Sequence, residues 1–115
     1  MAEKKENLIL DLSFEFALMI IEFTETLESS KKFVLARQLM RSGTSIGANI
    51  RESQSAESKD DFIHKLKISS KESEETEYWL LLCKYSKSYP FNQELLDKLL
   101  IIKKLLSKII SSSKK

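Results

Sequence analysis

The stretch LILDLSFEFALMIIEFTETL, residues 8–27, decides the fold class. Its apolar side chains recur at spacings of four, four, three and four residues, at Leu12, Phe16, Ile20, Phe23 and Leu27. Acidic residues stand between them. Such spacings place the apolar side chains on one face of an α-helix. The stretch therefore predicts an amphipathic helix over about residues 8–28. Further apolar residues on its flanks predict that the helix buries more than one side.

The composition of the rest of the chain favours more helices of this kind. The chain has 115 residues, of which 42% are hydrophobic, 31% are charged, two are glycine and one is proline. This length suits one domain, residues 1–115, and so few turn-forming residues exclude a β-sandwich or a glycine-dependent nucleotide-binding fold. Periodic apolar residues predict three further helices, at about 31–54, 58–86 and 92–111. We therefore expect an all-α, antiparallel up-down four-helix bundle with short connections.

Polar residues mark where these helices begin. Ser29 and Ser30 offer an end for the first helix and a cap for the second. Ser58 precedes two acidic residues, and Asn92 follows Pro90, the only proline. Both positions have the pattern of a helix N-cap.

Both glycines of the chain lie inside the second predicted helix. Gly43 and Gly47 share a strip of that helix, and each costs about 1 kcal/mol relative to alanine in a helix interior. Close approach of another helix would offset this cost, and the small seam residues Ser69, Ser73 and Thr76 of the third helix are the expected partners. The alternative is that Gly43 marks a break between two shorter helices.

Charge is distributed unevenly along the chain, although the total is only +2. Residues 1–30 carry a net charge of −5 and residues 31–71 a net charge of +5. Residues 72–97 carry −4 and residues 98–115 carry +6. Two blocks are therefore basic enough to attract an anionic partner.

The second predicted helix carries the candidate nucleic-acid contacts. Its arginines fall on one side, opposite the apolar side, and two lysines precede them: Arg37, Arg41, Arg51, Lys31 and Lys32. Such a stripe suits phosphate contacts without base-specific contacts. The alternative is that the arginines pair with the carboxylates of residues 72–77 across a helix or subunit interface.

Catalytic and metal-binding patterns are weak. The one histidine, His64, has no partner pattern, and Cys83 lies on an apolar seam, which favours a buried structural thiol. The acidic residues between 72 and 77 lack the Glu-x-x-His spacing of a di-metal bundle and favour a solvated face. We expect no enzyme activity, no metal and no cofactor.

Aromatic and apolar residues off the core seam of the third helix predict contact with another subunit, because a bundle of this size has one interior. They are Tyr78, Trp79, Leu81 and Tyr85. The single cysteine, the lack of a signal-peptide pattern and the lack of an apolar run of about 18 residues predict a cytoplasmic location without membrane insertion.

Three phrases of the sequence resemble a known family. They are RSGTSIGANIRES at residues 41–53, DFIHKLKIS at 61–69 and KESEETEYWL at 71–80. Together they resemble the bacterial four-helix-bundle proteins often labelled 23S ribosomal RNA intervening-sequence proteins, over about residues 10–110. Many relatives carry Ala-Glu-Gly where this chain has Arg51-Glu52-Ser53. This departure adds a positive charge.

The resemblance implies a homopentamer of antiparallel bundles arranged as a barrel around a channel. The chain is also similar to the accessory protein of diversity-generating retroelements, which implies work with a reverse transcriptase and nucleic-acid binding through basic surfaces. We therefore expect a non-enzymatic, oligomeric RNA- or DNA-binding or scaffold protein. The alternative is a protein–protein interaction module whose basic residues serve interfaces.

Overall fold

Four α-helices and three short connections make up the chain in the computed structural model, which describes the backbone of residues 2–114 and the side chains of residues 8–114. The helices are α1 (Ala2–Ser29), α2 (Phe33–Ser53), α3 (Lys59–Tyr85) and α4 (Gln93–Ser113). The described residues include no β-strand. The all-α prediction is confirmed, and α1 begins at Ala2 rather than near residue 8.

The helices pack as a closed ring in chain order. α1 packs on α2, α2 on α3, α3 on α4, and α4 returns to α1. Residue pairs between α1 and α2 run in opposite directions, since Gly47 faces Ser13 and Gly43 faces Ile20. The result is an antiparallel four-helix bundle with extents of 46 × 21 × 19 Å. No helix of the described residues is long and apolar enough to cross a membrane.

Two of the predicted helix caps are present. The Ser58 side chain accepts a hydrogen bond from the Asp61 backbone N–H at 3.0 Å. The Asn92 side chain accepts from the backbone N–H groups of Glu94 at 2.9 Å and Leu95 at 3.4 Å. Each cap satisfies donors that the first helical turn leaves without a partner inside the helix.

The turn between α1 and α2 differs from the prediction, because neither serine caps α2. Lys31 has a φ of 64°, in the left-handed region. The Lys32 N–H donates to the Leu27 carbonyl at 2.8 Å and the Lys31 N–H donates to the Glu28 carbonyl at 2.9 Å. This is the Schellman arrangement, in which glycine usually occupies the left-handed position. Here a lysine occupies it.

The core is aliphatic around a small, hydroxylated middle on α3. The predicted α3 seam is buried at Leu66, Ser69, Ser73, Thr76, Leu80 and Cys83. The Ser69 hydroxyl donates to the Ile46 carbonyl of α2 at 2.8 Å, and the Thr76 hydroxyl donates to the Ser42 hydroxyl at 2.9 Å. Serine and threonine therefore bond between the helices and let α2 and α3 approach closely.

The two glycines face α1, so their predicted contact with the α3 seam is wrong. A Cβ atom on Gly43 would lie 2.8 Å from Cγ1 of Ile20. A Cβ on Gly47 would lie 3.3 Å from the Ser13 backbone oxygen. The alternative of a helix break is also wrong, because α2 runs without interruption through both positions. Close approach of a neighbouring helix is thus the reason for glycine at 43, with α1 as the neighbour.

Candidate nucleic-acid interface

The structure places the predicted nucleic-acid-binding residues along the outside of α2 and its preceding turn. The three arginines have exposed positions, Lys31 is exposed in the turn, and Lys32 is partly buried. No acidic residue occurs between Glu28 and Glu52. The surroundings of the three arginines differ, however, and they do not act as one uniform stripe.

Arg41 is the arginine that pairs with α3. Its guanidinium lies 3.3 Å from a Glu72 carboxylate oxygen and also forms an ion pair with Glu75. The Arg41 side chain stays 50% exposed, so solvent screens both pairs. The structural pairing that the sequence offered as an alternative therefore applies to Arg41.

Arg51 lies at the far end of α2 beside several carboxylates. It lines a shallow concave surface together with Glu52, Glu57 and Asp61. Lys65 on the same surface forms an ion pair with Glu52 at 3.0 Å, and this hydrogen bond raises the pKa of Lys65. Nearby negative charge weakens the attraction of Arg51 for a phosphate.

Arg37 has neither kind of neighbour. Within residues 8–114 no ion pair of Arg37 is formed, and the position is exposed. It lies one helical turn after Phe33, at the start of α2. Arg37 and Arg51 are both exposed and without an ion pair among the described side chains, and Arg37 differs in that it does not line the acidic surface beside Arg51.

The connections α1–α2 and α3–α4 lie together at one end of the bundle. We call this the loop end and define it as residues 30–34 and 84–92. The Lys32 ammonium donates to the Ser88 hydroxyl at 3.4 Å and lies 4.7 Å from the Tyr89 ring centre. The Lys84 ammonium lies 5.6 Å from the Tyr85 ring centre and 5.7 Å from that of Phe91. Cationic and aromatic side chains are therefore interleaved at the loop end.

The predicted subunit-contact residues divide into two pairs. Tyr78 and Tyr85 are 57% and 77% exposed. Trp79 and Leu81 are partly buried and pack against the core of their own bundle, and the Trp79 Nε1 atom donates to Glu75 at 3.0 Å. Part of Trp79 and of Leu81 is thus covered within a single bundle, and their contact with another subunit stays a prediction.

A second apolar surface lies on α1, as its wide apolar arc predicted. Phe14 is 58% exposed, and Leu18 and Ile21 are exposed beside it. A groove between this surface and α2 is lined by Phe14, Ala17 and Ala48 among others. α1 therefore carries an apolar face in addition to the one that enters the core.

Acidic side chains of other helices neutralise part of the basic C-terminal block, residues 98–115. Lys98 forms an ion pair with Glu15 at 2.9 Å. Lys103 pairs with Glu74 at 2.9 Å and with Glu77. Burial opposes the charge of Lys103, and its hydrogen bonds to Glu77 and Glu74 outweigh burial, so the pKa of Lys103 lies above its ordinary value. Two lysines of this block thus serve contacts within the bundle.

Comparisons with known proteins agree with this architecture. The profile of the family described as 23S rRNA-intervening sequence protein matches residues 5–111. This chain belongs to that family. A crystal structure of a protein of unknown function from the S23 ribosomal protein family of Bacteroides thetaiotaomicron VPI-5482 is also similar. It has 44% sequence identity and a TM-score of 0.87, covering 93% of this chain and 98% of that chain. No curated protein gives a significant match.

The groups with catalytic potential in this 23S rRNA-intervening sequence protein are isolated. His64 is exposed near the start of α3. Cys83 is buried, and burial raises its pKa to about 11, so its thiol stays protonated at neutral pH. Among the described side chains, no three of the His, Cys, Asp and Glu type come together as a metal site.

Proposed function

We propose that this protein is a non-enzymatic, oligomeric nucleic-acid-binding protein that tolerates many sequences. The observation that carries the proposal is the surface of residues 29–51, which holds five basic residues and no acidic one. Exposed guanidinium and ammonium groups on such a surface attract phosphates.

Contacts of this kind favour the backbone over the bases. The exposed face of α2 presents arginines separated by small residues such as Thr44 and Ala48. Direct readout needs a set of Asn, Gln or Arg side chains that reach base edges together. The α2 face lacks that pattern and suits sequence-tolerant binding of modest affinity.

A salt titration on the wild-type protein tests this proposal. Affinity for RNA or DNA is expected to fall steeply between low and physiological salt, because each phosphate contact releases counterions. The triple variant Arg37→Gln/Arg41→Gln/Arg51→Gln is expected to bind less tightly, with a flatter dependence of log affinity on log salt. A wild-type protein that retains no nucleic acid at low salt would refute the proposal.

Single variants separate the contributions of the arginines. Arg37→Gln is expected to weaken binding most, because Arg37 has no competing carboxylate in the described structure. Arg41→Gln is expected to change stability instead, since Glu72 and Glu75 lose their partner, and Arg51→Gln serves as the control at the acidic end of α2. Equal losses of binding from all three variants would contradict this ranking.

Self-association completes the proposal. The apolar strips of α1 (Phe14, Leu18, Ile21) and α3 (Tyr78, Leu82) lie on helices that are diagonal in the ring of four. Contact between two different strips of successive copies is heterologous, and such contacts form a ring where the rotation between copies closes. A homopentamer, as the family resemblance implies, is one such ring. Light scattering at micromolar concentration is expected to give a multiple of 13.3 kDa, and a monomer mass would refute self-association.

The groove between α1 and α2 favours one alternative function. Its apolar lining, including Leu10, Phe14 and Ala17, suits a protein segment rather than a nucleic acid. In that case the protein is an interaction module, with a reverse transcriptase or another bundle as the class of partner. Binding to such a partner is expected to change little with salt, which distinguishes it from phosphate contacts.

A further inference from the structure

The loop end concentrates positive charge without any carboxylate in its own segments. Residues 30–34 and 84–92 contain Lys31, Lys32, Lys84 and Lys87 and no Asp or Glu. Arg37 adds a fifth positive charge one turn into α2. By contrast, the opposite end of α2 lies beside Glu52, Glu57 and Asp61. Glu28 and Glu94 lie just outside these segments, and Glu22 and Glu94 line a surface with Asn92. The attraction for an anion is therefore centred on the lysines of the loop end themselves.

Aromatic rings at the loop end are of two kinds. Tyr89 and Phe91 are partly buried, pack against the core and hold the ammonium groups of Lys32 and Lys84 in cation–π contacts. Phe33 and Tyr85 extend into solvent, with 52% and 77% of their surfaces exposed. The Lys84 ammonium also lies 5.6 Å from the Tyr85 ring centre, so Tyr85 both holds a lysine and extends into solvent. Phe33 offers a flat apolar surface beside the lysines.

Lys31 adds an independent observation. Its left-handed backbone favours glycine, which adopts a φ of 64° without steric cost. The lysine at this position is exposed, and within residues 8–114 its side chain forms no ion pair. A strained position that bears a charge without an internal partner points to a role outside the bundle.

We propose that the loop end binds a single-stranded nucleic acid. Lys31 and Lys87, with Lys32 and Lys84 behind them, contact the phosphates, and bases stack on the rings of Phe33 and Tyr85. Stacking requires bases with free faces, which a single strand offers and a duplex does not, and ring stacking together with cations is the usual basis of single-strand binding. The proposal rests on the proposed function and specifies its ligand class and its site.

Fluorescence anisotropy tests the site with two probes. One is a labelled single-stranded RNA of mixed sequence, about 12 nucleotides long, and the other is the same strand as a duplex. Wild-type protein is expected to prefer the single strand. Phe33→Leu keeps apolar packing but removes the ring, so affinity for the single strand is expected to fall at least about fivefold, whereas Phe33→Trp is expected to retain it. Loss of binding in both variants, or in neither, overturns the stacking role.

Charge is tested with two matched pairs of variants. Lys31→Gln/Lys87→Gln and Lys104→Gln/Lys108→Gln remove the same charge, and Lys104 and Lys108 are exposed on the part of α4 that leads away from the loop end. The first pair is expected to flatten the salt dependence by about 0.7 per lost contact, and the second to change it little. Equal effects of the two pairs would mean that only net charge attracts the nucleic acid, which overturns the site.

Two further variants complete the test. Lys31→Gly is expected to raise the thermal midpoint while lowering affinity for the single strand; a higher midpoint with unchanged affinity overturns the role of Lys31. For Tyr85→Ala, the mass of the oligomer is measured together with the affinity. Dissociation of the oligomer would assign Tyr85 to subunit contact and overturn its stacking role.

A wild-type protein that binds neither probe refutes the proposed function itself. Equal binding of both probes, with loop-end variants unchanged, refutes only this inference.

Discussion

Replacing Gly43 by alanine tests how closely α1 and α2 approach. The new Cβ would lie 2.8 and 2.9 Å from Cγ1 and Cδ1 of Ile20, and 3.1 Å from Cγ2. Ile20 is fully buried, and its β-branched side chain has one strongly preferred χ1 rotamer in a helix, so it cannot move aside easily. Helix propensity favours alanine by about 1 kcal/mol, and overpacking costs about 1–3 kcal/mol. We expect Gly43→Ala to destabilise the bundle by about 1 kcal/mol.

Thermal unfolding at a fixed protein concentration measures this change, since the midpoint of an oligomer depends on concentration. A loss of 1 kcal/mol corresponds to a midpoint lower by about 4 °C in a domain of this size. The double variant Gly43→Ala/Ile20→Ala removes the clash, so we expect the two substitutions together to cost at least about 0.5 kcal/mol less than the sum of the single ones. A Gly43→Ala protein that melts higher than wild type would refute the close approach.

Three further predictions follow from the same contacts. Gly47→Leu is expected to destabilise the fold by about 1–3 kcal/mol, since its Cβ meets the Ser13 backbone, and an unchanged melting midpoint would contradict this. Ser69→Ala removes the bond to the Ile46 carbonyl and is expected to cost about 0.5–1.5 kcal/mol in urea unfolding, because the carbonyl loses its interhelical donor but keeps its donor within α2. The pKa of Cys83 is about 11 when folded and 9.0 when exposed, so the unfolded chain loses its proton first and stability falls as pH rises from 9 towards 11. Cys83→Ser is expected to reduce that pH dependence. Because Cys83 is buried, iodoacetamide is expected to label the native protein only as fast as the fold opens.

The sequence was sufficient to predict the helices because their signals are local. Apolar spacing located all four, and Ser58 and Asn92 show the caps directly. The α1–α2 turn could not be predicted in the same way, because its left-handed residue is a lysine. A glycine at position 31 would have indicated the Schellman arrangement.

The neighbours of each face were harder to predict than the faces themselves. A helical wheel shows that Gly43 and Gly47 share a strip, but a ring of four helices offers two neighbours to α2, and the wheel does not choose between α1 and α3. The arginine stripe was misleading for a related reason. The side chain of Arg41 reaches Glu72 on α3, whereas Arg37, one turn earlier on α2, forms no ion pair among the described side chains. The helical wheel treats the two arginines alike, and only the packing of α2 on α3 shows which of them has a carboxylate partner.

The closed ring of helices also has a consequence for the order of folding. Connections of three, five and seven residues join α1 to α2, α2 to α3 and α3 to α4, so these contacts form between neighbours in sequence. Among the helix pairs that pack together, only α4 and α1, joined by the Lys98–Glu15 pair, are distant in sequence. Closing a longer loop costs more entropy, and chains dominated by local contacts fold rapidly. The three contacts between sequence neighbours can therefore form early, and α4 packs on α1 last. At that last step a helix from a second copy can compete with α4 for its position against α1.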